Sequence, residues 1–407
     1  MVKLVQADAT PAAKPHIAFV LPGLRAGGSE HIVSLLCNHF SRSGWTVSLY
    51  AFEDAHAPPY YTHDLAVHVC QLGYPAGRLP MLQSLLNIRN RIGTLRRALS
   101  HARPDLVVSF LTRTNVVSVL AARPLGIPVI VSERNNPAAQ RPGALWSALR
   151  RYAYARAAGL VTMTRGAMMQ LPKVMRRKQW VIPNPTYAPI DLDPGRPPIM
   201  QLAAVGRLVP QKGFDLLLDA FAHVADRIPD WSLVIWGEGP ERARLEAQRD
   251  ALGLRHRVSL PGVTREHGGW LREAGIFVLS SRFEGWGIVV GEAMAAGIPV
   301  ISFDCRWGPG EMISDRESGI LVPDGDVIAM GDAIASLCAD PDRRKLLSQN
   351  ARIASRRFQV DAILQQWEQA ATDALASRAA APIFTGAPAQ SGPPDAAVGS
   401  AGARPAY

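Results

Sequence analysis

The sequence predicts an α/β protein of two doubly wound, parallel-sheet domains facing a central cleft. Three observations lead there. From residue 16 onward, short apolar runs of buried-strand length alternate with helical patterns, as repeated βα units do. The stretch from Pro183 to Pro198 holds six prolines and no apolar periodicity, so it divides the 407-residue chain as a linker would. The charge also divides there: residues 1–187 carry 22 Lys+Arg against 7 Asp+Glu, and the remainder carries 22 against 27. The expected layout is an unstructured segment over 1–15, a first domain over 16–184 and a linker over 185–198. A second domain over 199–357, a terminal helix over 358–379 and an unstructured tail over 380–407 follow; the tail is Ala, Pro, Gly and Ser with almost no charge.

Bulk properties narrow the function classes. Apolar residues make up 48% of the chain, enough for full globular cores. No uninterrupted apolar run reaches membrane-span length; Arg113 and Arg123 break the nearest candidates. The first residues, MVKLVQADATPAAKPH, lack the apolar segment of a signal peptide. Cys37, Cys70, Cys305 and Cys338 are far apart and form no metal or redox pattern, so they read as reduced thiols in a cytoplasmic protein. The net charge of +10 comes from the first half and suits an anionic surface or acceptor. Basic residues are not interleaved with aromatics and no nucleic-acid reading motif is present, so anionic lipid or a lipid-linked phosphate fits better.

In order, His16 to Leu21 is the first strand. It leads through Pro22 to Gly27-Gly28 into a helix from about Glu30 to Phe40, a glycine-bearing βα turn without dinucleotide-binding spacing. Trp45 to Phe52 and Val67 to Leu72 are strands. Met81 to His101 is a helix with an apolar side and Arg89, Arg91, Arg96 and Arg97 elsewhere. It can rest on a membrane surface or pack its apolar side on the sheet. Leu106 to Phe110 and Pro128 to Ser132 are further strands. The second opens into Glu133-Arg134-Asn135, polar residues at the carboxyl edge of a sheet, where open parallel sheets hold ligands. Helix 142–157, strand 159–163, helix 165–171 and strand 180–182 complete the first domain.

The second domain opens with strand 200–205 and the loop Gly206-Arg207-Leu208-Val209-Pro210-Gln211-Lys212-Gly213, followed by a helix from Phe214. One Arg and one Lys on a strand–loop–helix turn suit a diphosphate: the guanidinium can take two oxygens and the ammonium adds a point charge. Strand 233–236, helix 240–252 and the segment Val258 to Val263 come next. Ala274 to Leu279 is a buried strand, Gly285 and Gly287 break the pattern, Ile288 to Ala296 is a short helix stopped by Gly297 and Pro299, and Ile298 to Phe303 is a strand. A glycine loop at a helix start offers free amides and the positive end of the helix dipole to an anion. Glu284 and Glu292 flank that loop. Carboxylates there would repel bare phosphate, so they suit the hydroxyls of a sugar nucleotide. Asp304 to Ile313 is another strand–loop–helix turn, and a strand over 319–323, a helix over 326–338, helices to about 355 and a last helix over 358–375 follow.

The run EGWGIVVGEAMAAGIPV, with its two glutamates, glycine pair and Pro-Val entry to a strand, resembles the signature of the family-4 retaining glycosyltransferases of the GT-B fold. Trp286 stands where that family more often has Phe. The resemblance covers 16 to about 375 and is strongest over 200–323. It implies a nucleoside-diphosphate sugar, UDP-linked, as donor, and transfer of a hexose or N-acetylhexosamine to a saccharide acceptor, on a lipid carrier, for cell-surface glycans. It implies no cofactor and no metal. It sets Gly27 and Gly28, Arg207 and Lys212 on the diphosphate, Val263 on the base, Glu284 on the sugar hydroxyls and Glu292 on the ribose. Amides of Gly285, Gly287, Ile288 and Val289 orient the sugar. Glu284, Arg207 and Lys212 are the catalytic candidates. Pro183-Asn184-Pro185 resembles the entry to the second domain, and the last helix crosses back to the first. Many members have a histidine near residue 133; this chain has Glu133-Arg134, so no catalytic histidine carries over and Glu133, Arg134 and Asn135 are candidates for the acceptor or sugar side. Asp304 to Ile313 resembles members using galactose- or N-acetylhexosamine-type donors. The rival readings are a sugar-nucleotide epimerase or hydrolase of the same fold and a catalytically silent sugar-nucleotide sensor at the membrane. No nucleophile is visible, and oligomeric state is not legible.

Overall fold

The computed structural model describes residues 14–25, 27–53, 58–74, 81–134, 143–176, 178–190, 192–193, 198–264 and 266–379. Of the two ends expected to be unstructured, 1–15 and 380–407, residues 1–13 and 380–407 lie outside the described residues, as does the candidate Asn135.

The first sheet contains β1 (His16–Leu21), β2 (Thr46–Ala51), β3 (Val67–Gln71), β4 (Leu106–Phe110), β5 (Val129–Glu133), β6 (Gly159–Thr162) and β7 (Gln179–Val181), in the order β3-β2-β1-β4-β5-β6-β7. The second contains β8 (Gln201–Val205), β9 (Ser232–Trp236), β10 (Val258–Gly262), β11 (Ile276–Leu279), β12 (Val300–Phe303) and β13 (Ile320–Val322), in the order β10-β9-β8-β11-β12-β13. All pairings are parallel. Strand order therefore reverses at β1/β4 in one sheet and at β8/β11 in the other. Those are the switch points where open α/β sheets leave a crevice at their carboxyl ends. Central strands have both faces covered, and they are correspondingly apolar: Ile17 to Leu21 and Leu106 to Val108 are buried throughout.

The helices of the first domain are α1 (Gly28–Arg42), α2 (Met81–Ala102), α3 (Thr112–Ala122), α4 (Ala144–Tyr154) and α5 (Arg165–Gln170). α3 was not legible from periodicity. Eight of its eleven residues are buried, with α2 and α4 against it, so it shows no polar stripe to mark a period. β5 also runs one residue further than its apolar run, because Glu133 is in register with Thr162. On α2, the Arg91 guanidinium lies 5.4 Å from the Phe52 ring and 5.2 Å from the Tyr74 ring, and Arg96 donates to the Leu120 carbonyl at 3.1 Å. Arg89 and Arg97 are exposed. Two of the four arginines are thus bound into the domain.

The second domain carries α6 (Phe214–Val224), α7 (Arg242–Ala251), α8 (Ile288–Ala296), α9 (Pro309–Met312), α10 (Val327–Ala339) and α11 (Pro341–Ser355). The last helix, α12 (Val360–Ala379), belongs to the first domain's core. Ile363, Leu364, Trp367, Ala370, Ala371 and Ala374 form one stripe and pack with Phe19, Leu36 and Phe110. His39 and Glu368 meet at 3.0 Å and Lys178 donates to the Asp373 carbonyl at 2.6 Å, pinning the two flanks of this helix. Across the cleft, the Glu311 carboxylate accepts from the amides of Arg165 and Gly166, each at 2.8 Å, so a second-domain acid caps α5 of the first.

Trp367 is 1% exposed. Its truncation to alanine should destabilise the first domain by about 3–5 kcal/mol, the range for a buried large aromatic, read as a shift of the urea midpoint; a shift under about 1 kcal/mol would mean that α12 is only laid on the surface.

Candidate active site

Two loops of the second domain are stitched together at its switch point. β8 ends in the loop 206–213 and β11 in the loop 280–287. Arg282 holds Asp215 through two bonds of 2.8 and 2.7 Å and donates to the Pro210 carbonyl at 2.7 Å. Gln211 donates to the Phe283 carbonyl at 3.0 Å, and Ser280 to the Lys212 carbonyl at 3.0 Å. Gly213 has φ +63° and sits so close that a Cβ would run into the Ser280 carbonyl; only glycine meets both conditions. The bidentate Arg282–Asp215 pair holds the Asp215 carboxyl below its usual value.

This stitching brings Lys212 onto Glu284. Their Nζ and Oε1 are 2.6 Å apart, with the side chains 16% and 8% exposed. Ser281 donates to the same oxygen at 2.7 Å. Both charges are fixed in place, and each compensates the other's burial. Gly287 (φ 76°) then turns the chain into α8, whose start has no side-chain cap. α1 likewise starts at Gly28 without one. Both helix starts line one cavity of about 330 Å³, together with Arg134, Lys212, Glu284 and Asn184. The two walls touch: the side chain of Ile288 approaches Gly28, and Gly285 lies against Met163 and the Arg134 carbonyl. A cavity with two cations, two open helix N-termini and one carboxylate suits a phosphate-bearing ligand with hydroxyls.

A second cavity of about 280 Å³ opens on the other flank of the loop 206–213, lined by Arg207, Trp236, Glu238 and Val263 among others. Arg207 and Val263 are exposed there. The loop therefore gives Lys212 to one cavity and Arg207 to the other.

Other sequence candidates fall elsewhere. Gly27 is the residue before α1, and its carbonyl accepts from the Tyr61 hydroxyl at 3.3 Å. Glu133 does not line the cavity: its carboxylate accepts from Thr112 at 2.9 Å and Tyr154 at 2.8 Å, beneath α3 and α4. As strand neighbours, Glu133 and Arg134 face opposite sides, and Arg134 takes the cavity side. Glu292 is 6% exposed on α8, outside both cavity walls, with Oε1 3.3 Å from Nε2 of His267. Asn184, Met163 and Trp286 reach the cavity wall without being among the sequence candidates, although Asn184 sits in the quoted Pro183-Asn184-Pro185. Buried Glu53, 5% exposed at the end of β2, accepts from the Leu24 amide at 2.8 Å and braces the glycine loop. No sequence pattern marked Glu53 or His267. Among the described residues no cluster of three His, Cys, Asp or Glu is placed to hold a metal ion, and no helix is long and apolar enough to cross a membrane.

The comparisons with known proteins match this arrangement domain by domain. A model described as "Glycosyl transferases group 1" matches residues 199–354, and one described as "Glycosyl transferase 4-like domain" matches 27–185. The chain belongs to the group 1 glycosyltransferases. The fold is GT-B: a structure from Anabaena, HepE in complex with UDP, superposes with a TM-score of 0.70 at 19% identity, covering 88% of this chain and 100% of that one. Over 355 residues this glycosyltransferase is 26% identical to a Campylobacter jejuni enzyme named GalNAc-alpha-(1->4)-GalNAc-alpha-(1->3)-diNAcBac-PP-undecaprenol alpha-1,4-N-acetyl-D-galactosaminyltransferase, covering 86% of this chain and 96% of that one. It is 36% identical over 176 residues to an exopolysaccharide phosphotransferase of Streptomyces coelicolor. That match covers 42% of this chain and 18% of the longer protein. The group 1, GT-B resemblance read from the sequence is therefore the family of the chain.

The hydrogen bond to Glu292 raises the His267 imidazole above its ordinary value, with burial opposing, while burial and the nearby His267 lower His31. His267 should therefore stay protonated to higher pH than a free histidine, and an NMR titration should show its pKa falling back toward 6.5 in Glu292→Gln. An unchanged value would mean that the pair does not form.

Proposed function

We propose that this glycosyltransferase moves a hexose or N-acetylhexosamine, with retention of configuration, from a UDP-linked donor to a saccharide acceptor on a lipid carrier. The observation that carries the reading is the single cavity in which Lys212, Glu284 and the start of α8 face Gly28 and Arg134 of the other domain. The UDP in the HepE structure and the lipid-linked saccharide in the name of the Campylobacter jejuni relative support the choice of donor base and acceptor class.

In this reading the diphosphate lies along the loop 206–213, between Arg207 and Lys212, with the base in the cavity of Trp236 and Val263 and the ribose hydroxyls on Glu292. Gly27 and Gly28 close on the diphosphate from the first domain. The sugar meets Glu284, whose oxygens accept its hydroxyls while Lys212 and Ser281 hold the carboxylate in place. Amides of Gly285, Gly287, Ile288 and Val289 orient the sugar. As the anomeric bond breaks, positive character grows on the sugar ring and negative charge grows on the diphosphate. Arg207, Lys212 and the α8 N-terminus stabilise that charge, fixed groups that need no reorganisation at the moment of reaction. Lys212 then shares itself between Glu284 and phosphate. The charge work requires no metal, and we read the transfer as metal-independent; turnover should survive EDTA.

Glu284→Ala should lower transfer by about 10²-fold or more, the usual loss of one preorganised polar contact, while UDP still binds by calorimetry. Full activity in that variant would remove Glu284 from the site. A panel of UDP- and GDP-sugars, assayed with and without a polyprenyl-phosphate-linked saccharide, names the donor and separates transfer from hydrolysis. For the membrane, the exposed Arg89 and Arg97 of α2 are the contact residues proposed. Near an anionic surface each is worth about 1 kcal/mol, so replacing both with alanine should weaken binding to phosphatidylserine vesicles by roughly tenfold or more, an effect that salt erases. Unchanged binding would leave α2 as a packing element.

A further inference from the structure

Arg134 follows the last residue of β5 and is 7% exposed. Buried guanidinium groups ordinarily carry a carboxylate partner. Arg134 has none among the described residues; its bonds go from Nη1 to the Ile182 carbonyl at 3.3 Å and to Asn184 Oδ1 at 3.0 Å. Its Cζ is 5.3 Å from the Phe110 ring and 5.3 Å from the Trp367 ring, which themselves meet at 5.6 Å. The group thus lies against two aromatic faces and is tethered at one nitrogen. The remaining two nitrogens, Nε and Nη2, are buried without a hydrogen-bond partner among the described residues. These two are one edge of the planar group, the edge that binds two oxygens of a phosphate or carboxylate side by side.

We propose that this edge is an oxyanion fork, and that Arg134 is the first domain's own anion ligand in the cavity. Arg134 and its acceptor Asn184 both line that cavity, with Lys212 and the starts of α1 and α8. The ligand chemistry is a pair of oxygens on one phosphorus or carbon. It is supplied either by the donor's diphosphate or by an anionic group on the acceptor. The inference takes its setting from the transferase reading, but the anion chemistry stands on the guanidinium alone. A buried, unpaired cation costs several kcal/mol, and no other group among the described residues uses the free edge. Burial lowers the group to about 9, so it is charged at neutral pH.

The test is calorimetry on the whole chain as wild type, Arg134→Met and Arg134→Lys, with UDP, uridine and inorganic pyrophosphate as probes. If the fork serves the donor, UDP should weaken by about tenfold or more in both variants, with uridine unchanged. If it serves the acceptor, UDP should hold, and pyrophosphate binding to the UDP-saturated protein should be lost. Unchanged UDP and pyrophosphate affinities in folded variants would overturn the proposal. Failure of the wild type to bind UDP would instead sink the donor reading, and the pyrophosphate arm would still decide the fork. Should the variants not fold, the Arg134 Nε resonance of the wild type should shift on titration with pyrophosphate; a static resonance would equally overturn it.

Discussion

The parallel direction of every strand is the constraint on which the site depends. In a parallel sheet each strand's carboxyl end emerges at the same edge, and each helix that follows begins there. The chain does this twice, with the two edges facing. α1 after β1 and α8 after β11 therefore present uncapped starts to one cavity from opposite domains. Neither domain alone holds the full set of groups. Asn184 stands just before the linker, and Thr186, packed on Gly291 of α8 and bonded to the Phe358 carbonyl at 2.7 Å, fixes where the linker passes.

Electrostatics inside that cavity is arranged by compensation in one place and its absence in another. Lys212 and Glu284 hold each other at 2.6 Å, so neither is a bare charge before a ligand arrives. Arg134 is held by aromatic faces, a carbonyl and an amide oxygen, none of which is a counter-charge. The pair gives orientation at little electrostatic cost, whereas the lone guanidinium stores a preference for an anion. Burial by Phe110 and Trp367 sets the strength of that preference, which links a helix near the chain's end to the chemistry of the cleft.

Much of the fold was legible because the signals are local. Apolar runs mark the strands, glycines mark the turns into α1 and α8, and an Arg and a Lys six residues long in span mark the loop after β8. What was not legible depends on facing. α3 hides because it is buried on nearly all sides. Glu133 and Arg134 look alike as a polar pair, yet strand alternation sends one under the helices and the other to the cavity, and only the strand's true end, Glu133, decides which. Glu53 and His267 come from segments distant in sequence from what they brace, so no spacing could reveal them.

The return of α12 to the first domain has a bearing on how the protein is made. Phe19, Leu36 and Phe110 are synthesised before the second domain, but Trp367 and its stripe, which complete that core, are synthesised after it. Domains generally fold as they leave the ribosome, at about 5–20 residues per second. Here the first domain must keep a hydrophobic groove open until α12 has been made after the second domain, so the second domain is complete before the first. During that interval the open groove exposes apolar surface of the kind that aggregates when left uncovered, and a chain released after the second domain would carry one finished fold beside an unfinished partner.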